Sequence, residues 1–175
     1  MKIIHAHHAQ CIEVLKERFG DNPIIGIEVG CGGGDSAAAF LAHLPNIQKI
    51  YTMDTWEHRD MAQYESGEPQ ARHDAAKKMA YDRLSHFGER VEVMHMSSDK
   101  AFETIQDKVD FVWIDGDHTN GQVVLDIAHG LAAVKEGGLI GGHDYVQAPQ
   151  VTQAVDEAFP DGITMGGDFT WWRKL

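Results

Sequence analysis

Several short clusters in this chain combine residue types and spacings that suit chemistry. Glu28-Val29-Gly30-Cys31-Gly32-Gly33-Gly34-Asp35 follows a β-branched run and spells G-x-G-x-G. Glycines so placed let a backbone turn sharply and lie against a ligand. The dinucleotide fingerprint G-x-G-x-x-G needs glycine at 35, where Asp35 stands. An acid there also opposes a pyrophosphate, which seeks the positive end of a helix. A ligand without phosphates suits the turn better. Asp54 ends the next β-branched run and offers a carboxylate to ribose hydroxyls. Ser97-Ser98-Asp99 offers small polar groups to an adenine edge, or a cap to the helix that follows.

Two further clusters, Asp115-Gly116-Asp117-His118 and Gly141-Gly142-His143-Asp144-Tyr145, supply three acids and two histidines. Oxygen and imidazole donors suit Mg²⁺, Mn²⁺ or a similar divalent ion. Carboxylates gathered without a cation repel one another. The plain alternative is that Asp115 and Asp144 cap helices while His118 and His143 are structural. Clustering at one functional edge favours chemistry over that alternative.

The elements that must position these clusters follow from periodicity. Gln10–Arg18 places Cys11, Val14, Leu15 and Phe19 at helical spacing before Gly20 and Pro23. Ile24–Val29 is a short buried strand, and Ser36–Leu44 a helix capped by Asp35 or Ser36. Strands are expected at Lys49–Met53, Val91–Met96, Val109–Ile114 and Leu139–Gly142. Helices are expected at Ala71–Phe87, Lys100–Gln106, Val123–Lys135 and Gln150–Phe159. Weaker strands around Ile163–Met165 and Phe169–Arg173 close the chain, linked by Gly166-Gly167 as a hairpin. The expected fold class is α/β: a Rossmann-like, doubly wound, mostly parallel seven-stranded sheet with helices on both faces and a C-terminal antiparallel hairpin. Ligands of such sheets bind at the carboxyl ends of the strands, where all the clusters fall.

Taken together, these residues resemble the class I S-adenosylmethionine-dependent methyltransferases. Ile27–Gly34 resembles their first motif and Asp54 their ribose-binding acid. Phe111–His118 (FVWIDGDH), Gly137–Tyr145 (GGLIGGHDY), Val151–Phe159 and Trp171-Trp172 resemble a small single-domain bacterial family within them. Asp54-Thr55-Trp56 resembles that family's D-P-W, with threonine for proline. The resemblance implies S-adenosylmethionine as cofactor, bound by Glu28, Gly30, Gly32, Gly34, Asp54, Thr55, Trp56, Ser97, Ser98 and Asp115. A related group, the metal-dependent sugar O-methyltransferases, carries L-D-G-D and D-D-Y. By that resemblance Asp115, His143 and Asp144 are the metal ligands, with histidine where the group has an acid, and Asp117 is the general base, with His118 beside it as a second catalytic candidate. A His/Asp/Asp set leans from Mg²⁺ toward Mn²⁺, Fe²⁺ or Zn²⁺.

Composition bounds the partners. Lys+Arg 15 against Asp+Glu 27 gives −12, which opposes a phosphate-backbone binder or a polybasic membrane anchor. No apolar run is long enough to span a bilayer, and two cysteines make no disulfide framework. The expectation is a cytoplasmic protein, one methyltransferase domain over 1–175, with an N-terminal helix in 1–22. Its acceptor is a small molecule, most simply a hydroxyl, with no nucleic acid or membrane partner and a homodimer left open. The polar stretch 55–70, with His58, Arg59, Asp60, Tyr64 and Glu65, is expected to form a lid over the acceptor. His5, His7 and His8 are a weaker candidate for a surface metal site, and the remaining histidines gain no role. The rival readings are an NAD-dependent oxidoreductase on a similar fold and a non-catalytic nucleotide- or metal-binding module.

Overall fold

A computed structural model describes residues 6–57 and 69–175, with the side chains of 6–8 outside that description. The elements are α1 (Ala6–Phe19), β1 (Ile24–Val29), α2 (Asp35–His43), β2 (Ile47–Asp54), α3 (Gln70–Leu84), β3 (Val91–His95), α4 (Ser98–Thr104), β4 (Val109–Ile114), α5 (Asn120–Ala133), β5 (Val134–Gly142), α6 (Pro149–Ala158), β6 (Thr164–Met165) and β7 (Trp171–Lys174). The seven strands form one sheet in the order β3-β2-β1-β4-β5-β7-β6. The first five are parallel. β7 runs antiparallel between β5 and β6, as the C-terminal hairpin requires. β1 and β4 lie side by side although their crossovers leave in opposite directions. Their carboxyl ends mark the switch point at which such sheets bind ligands.

The two faces of the sheet carry separate cores, set by the period of two along each strand. Phe111 and Trp113 of β4 join the cluster under α1, α2 and α3, while Val112 and Ile114 join the cluster under α4, α5 and α6. Phe40 of α2 meets Phe111 and Trp113 edge-on, with ring centroids 6.0 and 5.9 Å apart. Room for such rings comes from small neighbours. A Cβ on Gly26 would stand 2.1 Å from the ring of Phe111, and one on Gly141 2.2 Å from that of Trp172.

Several expected boundaries shift, each for a local reason. α2 is capped by neither Asp35 nor Ser36. Gly34 takes the N-cap place in a left-handed conformation, and the Ser36 hydroxyl donates to Glu28 instead. α3 stops at Leu84, and a 3₁₀ turn over Ser85–Arg90 with Gly88 at φ 57 ends the helical run short of Phe87. α5 begins at Asn120, three residues earlier than the apolar pattern suggests, behind an extended Thr119. β5 already starts at Val134, where it pairs with Val109 across an irregular register.

Candidate functional site

The G-x-G-x-G turn is built by the conformations that only glycine adopts cheaply. Gly30 sits at φ 92, and a Cβ there would lie 2.1 Å from the Asp115 carbonyl. The turn is tied down on both sides. The amides of Gly30 and Cys31 both donate to the Met53 carbonyl at 3.0 Å, and the Asp115 amide donates to Val29 at 2.8 Å. Asp54 closes it: its Oδ2 accepts the Gly32 amide and its Oδ1 the Trp56 amide, each at 2.8 Å. Gly32 itself faces open space, with nothing within 4 Å of where a Cβ would stand.

Glu28, expected to touch the methionine part of the cofactor, has no exposed surface. Its two carboxylate oxygens accept the hydroxyls of Ser36 and Thr52. Burial pushes its pKa up to about 7, against the lowering effect of those two hydroxyls. It therefore acts on the turn from beneath, joining β1 to β2 and α2. Trp56 is likewise buried and takes φ 47. Its indole Nε1 donates to the Gly32 carbonyl at 2.8 Å, and its ring lies near Tyr81 and His95. Thr55 lends its carbonyl to His95 Nε2 at 2.8 Å.

Sequence reasoning missed the contribution of α3. Arg83 donates to the Gly33 carbonyl and pairs with Asp35 at 2.9 Å, so a cation clamps the turn from outside. Gln70, at the other end of α3, donates to the Trp56 carbonyl at 2.9 Å. No local motif signals these contacts, because they arise only when α3 folds back over the turn. The lid residues His58, Arg59, Asp60, Tyr64 and Glu65 lie outside the described residues, as does His5, and the side chains of His7 and His8 are not described.

At the ends of β4 and β5 the structure gathers Asp115, His118 and Asp144, whose donor atoms all lie within 4.8 Å of one another. His118 Nε2 stands 3.0 Å from Asp144 Oδ2 and 3.8 Å from Asp115 Oδ1. His143, expected in the ligand set, lies beside this trio rather than within it. Its amide donates to Ile114 at 3.1 Å, extending the β4–β5 ladder, and its Nδ1 lies 3.1 Å from Asp144 Oδ1. The spacing alone could not separate the two histidines, since both follow a strand end closely. The carboxylates of Asp115 and then Asp144 beside it push His118 up to about 10, and Asp144 beside His143 raises that histidine too. The two histidines in turn hold the Asp144 carboxyl well below the usual range. Asp144 also takes φ 60, a strained place for a residue other than glycine. Asp117 lies outside this trio, and its Oδ1 accepts the Thr119 amide at 2.9 Å ahead of α5.

Ser97 and Ser98 follow β3, next to the strand end that carries Asp54, which pairs with His95. Ser97 takes the N-cap place of α4 without a side-chain capping bond. Ser98 turns inward instead, and its hydroxyl donates to Asp126 of α5 at 2.6 Å.

A family model described as a methyltransferase domain matches residues 27–145, more than half of the chain and the whole stretch from the glycine turn to Asp144. No curated protein matches the sequence. Among solved structures, the chain is similar to an rRNA methylase from Streptococcus thermophilus, with 15% identity, a TM-score of 0.66 and 99% of each chain covered. It is similar to a calicheamicin methyltransferase, with 13% identity, a TM-score of 0.69, 98% of this chain and 81% of that one. It is also similar to a Streptococcus mutans protein solved in complex with SAH, with 15% identity, a TM-score of 0.66, 99% of this chain and 100% of that one. Likeness at such identities is a likeness of fold.

Proposed function

The chain belongs to the methyltransferase-domain family, and from that premise we propose that it transfers the methyl group of S-adenosylmethionine to a hydroxyl of a small-molecule acceptor. One observation carries this reading. The turn tied to Asp54 and the Asp115–His118–Asp144 cluster stand at the carboxyl ends of strands that adjoin in the sheet. The first offers a site for a nucleoside with an amino-acid tail, and the second a site for an acceptor that must lose a proton. The family match also favours transfer over the dinucleotide alternative that Asp35 already weakened.

S-adenosylmethionine supplies an electrophilic methyl on a sulfonium, so the protein's work is mainly alignment and charge. The Gly30–Gly34 turn is the cradle for the methionine portion, held from below by Glu28. Asp54 faces the ribose. The acidity of the edge, with Asp54, Asp115 and Asp144, suits a cationic sulfonium. Asp117, which stands on the same loop, is the base for the acceptor hydroxyl.

Two carboxylates and one imidazole fit a divalent cation by donor chemistry. Asp115, His118 and Asp144 would hold it, with His143 steadying Asp144 from the side. When bound, such an ion supplies a positive charge that lowers the pKa of an acceptor hydroxyl.

The net charge of −12 favours a small acceptor over an RNA, although an rRNA methylase shares the fold. The test is twofold. S-adenosylhomocysteine should quench tryptophan fluorescence or give a titration isotherm where NADH does not. S-adenosylmethionine carrying a labelled methyl should then label hydroxylated small molecules and not ribosomal RNA. Absence of homocysteine-nucleoside binding would overturn the reading, and label in RNA would redirect it.

A further inference from the structure

Asp126 is fully buried on α5, far from any solvent that would accommodate a carboxylate. Its Oδ1 accepts the Ser98 hydroxyl at 2.6 Å and the Gln122 amide at 3.1 Å, and Gln122 also donates to Ser98 at 3.2 Å. Its Oδ2 has no hydrogen-bond partner among the described residues. A buried acid with a half-satisfied carboxylate is costly to keep unless it has a task. The charged groups around it are Asp99 of α4 and His129 of α5, which lie 3.6 Å from each other. Asp99 adds repulsion, His129 relieves it, and burial outweighs both in pushing Asp126 up to about 6.

What this arrangement joins gives its meaning. Ser98 opens α4, directly after the β3 end that adjoins Asp54. Gln122 lies in the first turn of α5, directly after the loop that carries Asp115, Asp117 and His118. Asp126 therefore pins the Ser97–Ser98 turn to the helix that follows the acid–histidine loop.

We propose that Asp126 is a positioning residue for the adenosyl end of the cofactor site, acting through Ser98 to set the Ser97–Ser98 turn rather than by touching the cofactor. The proposal rests on the methyltransferase reading above. It also reassigns Ser98, whose hydroxyl is committed to the inside of the protein, leaving Ser97 and the local backbone as the groups that meet the nucleoside.

The test is a double-mutant cycle on S-adenosylhomocysteine affinity, with Asp126→Ala, Ser98→Ala and the pair. Each single change should weaken binding by about tenfold, the scale of one lost charge-assisted hydrogen bond. The pair should weaken it no further, because both changes break the same link. In turnover the effect should fall on KM for S-adenosylmethionine, with kcat and the acceptor KM within about twofold. Asp126→Asn keeps an accepting oxygen for Ser98 and should restore affinity to within about twofold, which separates position from fold. Normal affinity in Asp126→Ala and Ser98→Ala, or additive losses in the pair, would overturn the positioning role while leaving the enzyme reading intact. An unaltered protein that binds no S-adenosylhomocysteine would overturn both.

Discussion

Asp54 and Gly32 meet through a 2.8 Å hydrogen bond, the carboxylate at the end of β2 accepting the amide at the crest of the glycine turn. The other oxygen of the same carboxylate accepts the Trp56 amide, and the Trp56 indole returns to the Gly32 carbonyl. The acid proposed to face the ribose is thus also the clasp that shapes the turn, so its loss should be felt twice. Asp54→Ala is expected to weaken S-adenosylhomocysteine binding by at least about a hundredfold, the sum of two lost charge-assisted bonds. Trp56→Phe removes only the indole bond and should cost about fivefold. Calorimetric titration reads both, and equal losses from the two variants would argue against a direct ribose contact.

Gly30 has no room for a side chain. Gly30→Ala places a methyl against the Asp115 carbonyl and leaves an L-residue at φ 92. The expected cost is about 3 kcal/mol of stability from strain and overpacking together. Urea unfolding at neutral pH checks it. A loss under about 0.5 kcal/mol would mean that the β1 and β4 ends do not approach as closely as described.

Glu28 predicts a pH dependence with a definite sign. Its folded pKa is raised from 4.5 to about 7, so between those values the folded chain binds the proton more tightly than the unfolded one. Its contribution to stability is therefore most favourable at and below pH 4.5 and is lost as pH rises toward 7. Glu28→Gln should flatten that slope and raise the melting temperature relative to the parent most clearly above pH 7. A parallel offset at every pH between 4.5 and 8 would contradict this. Asp126 works in the same direction over a lower window, up to about 6, so the comparison must hold it constant.

The two histidines at the candidate cation site can be told apart by metal binding without any turnover. Mn²⁺ titrated into the protein should lose its free-ion resonance signal as it binds. His118→Ala should weaken this binding at least tenfold, as should Asp144→Ala, since each removes a donor from the trio. His143→Ala should cost less than either, because His143 supports Asp144 rather than completing the trio. If His143→Ala were the more damaging change, the ligand set read from the sequence would be the right one.

How much of this was legible beforehand depends on the range of the interactions involved. The alternation of β-branched runs with helical stretches is local information, and it carried the fold class, the parallel order and the terminal hairpin. The glycine turn and Asp54 were legible because glycine spacing reports backbone conformation directly, and because a strand-end acid has few other uses. Helix starts were less legible. Ser36 and Ser98 look like caps by type, yet each hydroxyl turns to a buried acid, Glu28 or Asp126, that lies on another element. A cap and a core hydrogen bond draw on the same side chain, and only the packing decides between them.

By itself, then, the sequence determined which residue types stand at the carboxyl ends of the strands, since strand ends are written in local pattern. Tertiary structure decided which of them share an atom-to-atom relationship. It put His118 rather than His143 between Asp115 and Asp144, buried Glu28 and Trp56 beneath the turn, and brought Arg83 and Asp126 to elements far away in the chain. The physical reason is that spacing along the chain sets which edge a residue reaches. The direction of its side chain at that edge depends on loop dihedrals and on neighbours that no local pattern records.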